Sequence, residues 1–309
     1  MLLNLLITVL LPAIAFGVLH GVPTSPYETR SLVSVISRFP NLPDGQAMIC
    51  GGVIITQNTV LTAAHCVNDG STFSSLVVVT LNGASPSSYT NSVIRQSTRA
   101  IDLHSRYAQE SVSPSPKMRI DFQTARGNED MALLYLPKPI ECKPYQGPQV
   151  ARLPPMPGNN TPPFFDPTKS PITDIELESA MCVASGWGLT RHGTYSDTPQ
   201  SIYLRVKREG SDDLFGFPMN KASKACKGDS GSPVYCYIRG IKFLIGVMTD
   251  VGTYRDIQRS ADDEMRCEDY DFVVISDIRA NMGEIQRILD QRGLHDGLAN
   301  GQKLCHNVV

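Results

Sequence analysis

Past its first fifteen residues the chain has no long apolar run, and that absence leaves nothing else able to cross a bilayer as a helix. It has no excess of charge of one sign: 28 basic residues face 30 acidic ones, interspersed rather than blocked. A basic footprint for nucleic acid or an anionic membrane is therefore missing. No C-x-x-C occurs, and Cys and His come together only at His65-Cys66 and Cys305-His306, spacings that do not suit a zinc site. There is no internal repeat.

The cysteines that are present number eight, an even count. They lie behind an apolar stretch, residues 2–15, that ends in the small-residue pattern Ala15-Phe16-Gly17. The stretch lacks a basic residue near its start and is broken by Pro12, and a membrane anchor needs about 20 apolar residues. It reads as a secretory signal peptide, residues 1–17, cut after Gly17 or after Ala15. Eight cysteines behind a secretory signal predict four disulfides formed in an oxidising, extracellular compartment. Asn159-Asn160-Thr161 is an N-glycosylation sequon in a proline-rich stretch, so Asn159 is expected on a surface loop.

Apolar runs in the body are short, β-branched and separated by turn residues: 32–36, 52–55, 60–63, 76–81, 131–136, 202–206, 233–238 and 243–248. This spacing predicts an all-β barrel or sandwich rather than βαβ units. A single helix is legible, near the C-terminus. Ile278, Met282, Ile285 and Leu289 share a face, Ser276 or Asp277 caps the start and Gly293 ends it. Residues 104–128 and 154–180 read as elaborated loops, the second carrying seven prolines between Pro154 and Pro171. Such density of proline forbids regular ladders. The loop after Leu153 divides two halves of similar length.

Chemistry concentrates in residues 224–233, KACKGDSGSP. Gly228 and Gly231 permit a turn closed to residues with a Cβ. That turn can aim the N–H groups of Gly228 and Ser230 at one developing oxyanion. A serine hydroxyl is a weak nucleophile until a base takes its proton, so a histidine oriented by a carboxylate is required elsewhere. Both types stand upstream, in TAAHC at 62–66 and NEDMALL at 128–134. The other histidines, at 20, 104, 192, 295 and 306, have no such context and read as surface or packing residues.

These segments, with CGGVI at 50–54 and ASGWGL at 184–189, resemble the trypsin/chymotrypsin-like serine peptidases in identity and in order, over roughly residues 18–290. The resemblance implies two six-stranded antiparallel β-barrels with a C-terminal α-helix and an active cleft between the barrels. It implies a first barrel over about 18–153, a second barrel and helix over about 181–290, and a tail, 291–309. His65 would act as general base toward Ser230 and then as acid to the leaving group. Asp130 would fix the imidazole tautomer, and the N–H groups of Gly228 and Ser230 would form the oxyanion hole. That division of labour is the family's own template. The pairings implied are Cys50–Cys66, Cys182–Cys236 and Cys226–Cys267, with Cys142 and Cys305 left to each other. Protein or peptide substrates follow, with protein inhibitors of such peptidases as further partners, a monomeric state, and neither cofactor nor metal. A secreted homologue that binds through the cleft without catalysis is the alternative, and ester hydrolysis by the same residues a third.

Departures from the family pattern bear on activation and specificity. Family zymogens are cut after a basic residue, and the new N-terminus pairs with the Asp before the nucleophile, here Asp229. No Arg-Ile or Lys-Ile lies at a suitable distance upstream of Cys50. Removal of residues 1–17 would instead expose Val18-Leu19-His20-Gly21, so Val18 is expected to pair with Asp229. Trimming to Val22 and cleavage at Arg30–Ser31 compete. At the position of the pocket base stands Lys224, which would repel Arg and Lys. The usual Ser-Trp-Gly is Thr249-Asp250-Val251, and Val251 with Val273 would partly close the pocket. Small or acidic substrate residues are expected there, unless Lys224 points to solvent. Ser232 replaces a usual glycine and is expected to be tolerated; residues 209–221 read as a truncated loop.

Overall fold

The structure is a computed structural model. It describes residues 18–43, 46–69, 72–81, 92–96, 101–105, 107, 129–141, 147–155, 170–190, 193–209, 213–254 and 266–294. Cys142, Asn159 and Cys305 lie outside them, as do His192, His295 and His306.

The chain builds two antiparallel sheets, and each of the eight apolar runs lies largely within a strand or overlaps one. In the first, β2 (Leu32–Arg38), β3 (Met48–Ile54), β4 (Thr59–Thr62), β5 (Leu76–Thr80), β6 (Ser92–Gln96), β7 (Ile101–Leu103) and β8 (Ala132–Tyr135) follow the order β6-β5-β2-β3-β4-β8-β7. In the second, the order is β1 (Val22–Pro23), β10 (Gln200–Arg208), β11 (Leu214–Pro218), β14 (Phe272–Asp277), β13 (Ile241–Gly252), β12 (Pro233–Ile238) and β9 (Met181–Gly186). There β9 also pairs with β10, from Gln200 opposite Gly186 to Leu204 opposite Cys182, and six strands close into a barrel.

With the closed barrel and the C-terminal helix, the first sheet gives the expected two-barrel architecture. It is a curled half-barrel whose outer strands, β6 and β7, do not pair among the described residues.

Val18, Ala184, Ile202, Leu204, Val234, Ile245 and Ile275 fill the closed barrel, and Val33, Val35, Ile54, Val60, Val79 and Leu134 fill the curled sheet. A third cluster joins the two: Val53, Leu61 and Leu133 from one side and Val183, Leu244 and Val247 from the other meet the apolar face of α2 (Ile278–Gln291). Burial of such side chains is worth about 1.5–3 kcal/mol each, so the two halves are docked through apolar contact and not through the cleft alone. The Asp277 carboxylate caps α2 by accepting the Arg279 N–H at 2.9 Å. Gly293, at φ 73°, turns the chain after the helix.

Two loops turn out to hold regular structure. Within 154–180 lies the short helix α1 (Asp174–Ser179), started by a capping box. The Glu176 N–H donates to Thr173 Oγ1 at 3.3 Å, and the Thr173 N–H donates to Glu176 at 3.1 Å. The Thr-x-x-Glu pattern that builds this box stands in the sequence just after the proline-rich run. Residues 209–221, read as a shortened loop, carry β11, whose Leu214 and Phe215 are buried.

Candidate active site

Turn geometry at 228–231 explains its glycines. Gly228 has φ 96° and Gly231 φ 77°, in the left-handed region. A Cβ on Gly228 would strike the Tyr195 ring, and one on Gly231 would strike Gly51 O and Thr62 Oγ1. The turn therefore sits hard against Thr62, three residues before His65. Its place is fixed by the Gly51 N–H donating to Ser230 O at 2.7 Å and the Gly231 N–H donating to Met248 O at 2.6 Å. Ser230 is half-buried. The N–H groups of Gly228 and Ser230 donate to no acceptor among the described residues, and both remain available to an oxyanion.

His65 lies in a single 3-10 turn, Ala64–Cys66, at the end of β4, and Cys66 is bonded to Cys50 on β3. Asp130 lies two residues before β8. Asp130 Oδ2 meets His65 Nδ1 at 2.6 Å, and Asp130 Oδ1 accepts the His65 backbone N–H at 2.9 Å. With Nδ1 engaged, Nε2 is the nitrogen left for proton transfer. Burial disfavours the imidazolium, but the Asp130 charge and hydrogen bond, with the charge of Asp250, outweigh it and raise the His65 pKa. Cys50, His65 and Cys66 cluster as metal ligands would, yet both sulfurs are in the disulfide and neither can be a thiolate ligand.

Behind the turn, Asp229 is buried. Its carboxylate accepts the Gly188 N–H at 2.8 Å and the Cys226 N–H at 2.9 Å. A Cβ on Gly186 or Gly188 would collide with its oxygens, which accounts for both glycines of Gly-Trp-Gly. No cationic side chain pairs with it among the described residues. Burial pushes its pKa up to about 7 against those two hydrogen bonds. Val18 is buried in the barrel core near this segment. Leu19 exchanges both backbone hydrogen bonds with Lys224, each 2.9 Å, and Ser223 Oγ donates to His20 O at 2.8 Å. Val22 by contrast is exposed on β1.

The specificity residues come out differently from expectation. Lys224 was read as a free cation at the pocket base or as pointing to solvent. Its side chain is 12% exposed and its Nζ lies 3.9 Å from Asp271 Oδ1. Asp271, whose Oδ2 also accepts from Thr253 Oγ1 at 2.7 Å and from the Tyr254 N–H at 3.0 Å, is the partner of Lys224 that sequence reading missed. It lies 47 positions from Lys224 (271 − 224), and nothing in local spacing links them. Val251 and Val273 are cross-strand partners on β13 and β14, Val273 buried and Val251 packed on the same core. Thr249 is buried and donates from Oγ1 to Val274 O at 3.3 Å. Asp250 is half-buried, with Oδ1 accepting the Val251 N–H at 2.8 Å. Cys182–Cys236 and Cys226–Cys267 are bonded. His104 is a packing residue, buried with Nε2 3.0 Å from Asn281 Oδ1.

A His–Asp pair on a curled β-sheet, facing a Gly-Asp-Ser-Gly turn on a closed barrel, defines the class of two-barrel serine proteases and their homologues. The trypsin family model matches residues 19–259, and the chain belongs to that family. It is 28% identical over 213 residues to the CLIP domain-containing serine protease B15 of Anopheles gambiae, covering 65% of this chain and 53% of that protein. The chain thus spans about half the length of the mosquito relative. It is 28% identical over 220 residues to chymotrypsin-like elastase family member 1 of Rattus norvegicus, covering 66% and 68% of the two chains. Among solved structures it shares its fold with HL collagenase, at 22% identity and TM-score 0.58, over 88% of this chain and 98% of that one. Human heparin binding protein has the same fold at 17% identity and TM-score 0.57, over 88% and 96%.

Proposed function

We propose that the protein is a secreted serine endopeptidase that cleaves peptide bonds beside small residues through an acyl-enzyme on Ser230. The observation that carries this is the 2.6 Å His65–Asp130 contact held against the Ser230 turn. In that arrangement neutral His65 takes the Ser230 proton through Nε2 as Oγ attacks the carbonyl. Asp130 holds the proton on Nδ1 and stabilises the imidazolium, and the Gly228 and Ser230 N–H groups receive the oxyanion. His65 then protonates the leaving amine, and water repeats the sequence on the acyl-enzyme. No cofactor enters these steps. A fluorophosphonate probe tests it: Ser230 should be labelled and Ser230→Ala should not.

Small acyl-side residues follow from Val251 and Val273 filling the slot and from Lys224 already facing Asp271. Activation follows from Val18. Cleavage after Gly17 gives it an ammonium in the core beside the segment that ends in Asp229, and a charge-assisted pair there would order the oxyanion turn. N-terminal sequencing of the secreted protein checks this, and a mature start downstream of Val22 overturns it. Secretion is supported by the leader, residues 1–17, and by disulfides that need an oxidising compartment. Glycosylation at Asn159, a Cys142–Cys305 bond, a monomeric state and recognition by protein inhibitors belong to the same reading. Among the described residues no helix is long and apolar enough to cross a membrane.

A second reading, a secreted homologue that binds a protein through the cleft, is favoured by the filled slot and by Asp250 where relatives carry tryptophan. The fold is shared with a human protein named for heparin binding. An unlabelled Ser230 in a folded protein would establish that reading in place of the first.

A further inference from the structure

Strand β13 is tied to the nucleophile turn: Met248 accepts from the Gly231 N–H at 2.6 Å and its own N–H donates to Ser232 O at 2.9 Å. Its register with β14 slips between Met248 and Asp250, and such a bulge re-aims the side chains that follow. Val251, partly buried, packs against the barrel core opposite Val273. Its neighbour Asp250, by the alternation of strand side chains, turns the other way, out toward the cleft.

The titratable groups acting on Asp250 are His65 and Asp130, from the opposite half of the molecule. One is a cation only when protonated, and the other is an anion. The Asp250 carboxylate accepts one hydrogen bond, from the adjacent Val251 N–H, and makes no ion pair among the described residues. A half-buried carboxylate without a cation, beside a second carboxylate, is a costly arrangement unless something supplies positive charge. Burial, together with Asp130 and against His65 and the Val251 N–H, pushes the Asp250 pKa up to about 6, which leaves it mostly ionised at neutral pH.

An extended peptide alternates its side chains as a strand does. If the residue whose carbonyl Ser230 attacks points at the Val251–Val273 slot, the residue before it points to the face shared by Asp250 and His65. We propose that Asp250 selects a cationic side chain on the substrate residue immediately N-terminal to the one whose carbonyl is attacked. This rests on the peptidase reading for its register. The result is a bipartite preference, a lysine or arginine followed by a small residue.

The test uses peptides identical except for lysine, norleucine or glutamate at that position. The lysine peptide should be cleaved with kcat/KM about fivefold above norleucine at low salt, the scale of one partly exposed ion pair, and glutamate should fall below both. Asp250→Asn should bring the lysine-to-norleucine ratio close to one; the ratio is the readout, not the absolute rate. In the unaltered protein the ratio should shrink as ionic strength rises, which serves if the variant fails to fold. Dissociation constants for the same peptides on Ser230→Ala give the ratio without catalysis, so an unlabelled Ser230 sinks the peptidase reading and leaves Asp250 still tested. Equal affinity for lysine and norleucine, a salt-independent ratio, or one that survives Asp250→Asn overturns the proposal.

Discussion

The Lys224 ammonium lies 3.9 Å from Asp271 Oδ1 with its side chain only 12% exposed. Lys224 is thereby matched from within the protein, and if it lies at the pocket base as proposed, an acidic substrate residue would have to compete with Asp271 for it. With Val251 and Val273 paired across β13 and β14, the proposed slot would favour short side chains. A peptide library should return Ala, Val or similar residues on the acyl side, with little cleavage after Arg, Lys or Glu. Val251→Gly should raise kcat/KM on a Phe peptide by about tenfold, since one pocket methylene is worth about 1–3 kcal/mol. Efficient cleavage after Glu by the unaltered enzyme would show that Lys224 leaves Asp271 when substrate binds.

For the His65–Asp130 pair the expectation is a pH profile. His65 must be neutral to accept the serine proton, and its pKa is raised above the ordinary 6.5, chiefly by Asp130 working against burial. kcat/KM should therefore fall as pH drops through a midpoint above 6.5. Asp130→Asn removes the negative charge, so the midpoint should move to lower pH, and kcat should fall by about 10⁴, the size seen for the family's template enzyme. An unchanged midpoint in Asp130→Asn would detach His65 from this role.

How much of this was legible in the sequence depended on whether the cause was local. Gly228, Gly231, Gly186 and Gly188 stand where backbone geometry or the Asp229 carboxylate excludes a Cβ, and such demands are written into short motifs. The helix over Ile278 to Leu289 was readable because its apolar period is internal to it. By contrast, Lys224, paired by its backbone with Leu19, meets Asp271 only because the fold carries the end of β13 and the start of β14 up to that segment, and no local spacing records that. Asp250 was visible as a replacement for tryptophan, but what it faces depends on a bulge in β13 that the sequence does not mark.

Asp229 supplies a prediction about the chain before cleavage. Its folded pKa is raised by burial to about 7, from 3.8. A carboxylate shifted upward contributes stability that is fully present below its unfolded pKa and is lost as pH rises through the folded one. The melting temperature of a chain that keeps Phe16 and Gly17 ahead of Val18 should therefore decline between about pH 4 and pH 7 more steeply than that of its Asp229→Asn variant. Once Val18 carries a free ammonium the pair would favour the ionised carboxylate, and the decline should vanish. Matching pH profiles for the uncut and matured chains would remove the Val18–Asp229 link.

Ser232 gives the last test. It is fully buried, and its hydroxyl has no hydrogen-bond partner among the described residues. It presses on the faces of Gly51 and Gly186, where any Cβ would strike it. A buried hydroxyl without a partner costs about 1–3 kcal/mol, so Ser232→Ala should stabilise the protein by about 1 kcal/mol, losing little packing in exchange. Ser232→Val adds volume where both neighbours are already in contact and should cost about 1–3 kcal/mol. Both belong in a Ser230→Ala background, which removes self-cleavage from the measurement. Denaturant midpoints at constant slope give the answer. A Ser232→Ala midpoint below that of the parent would mean that the hydroxyl is satisfied in solution, with a water between β3 and β9 the first place to look.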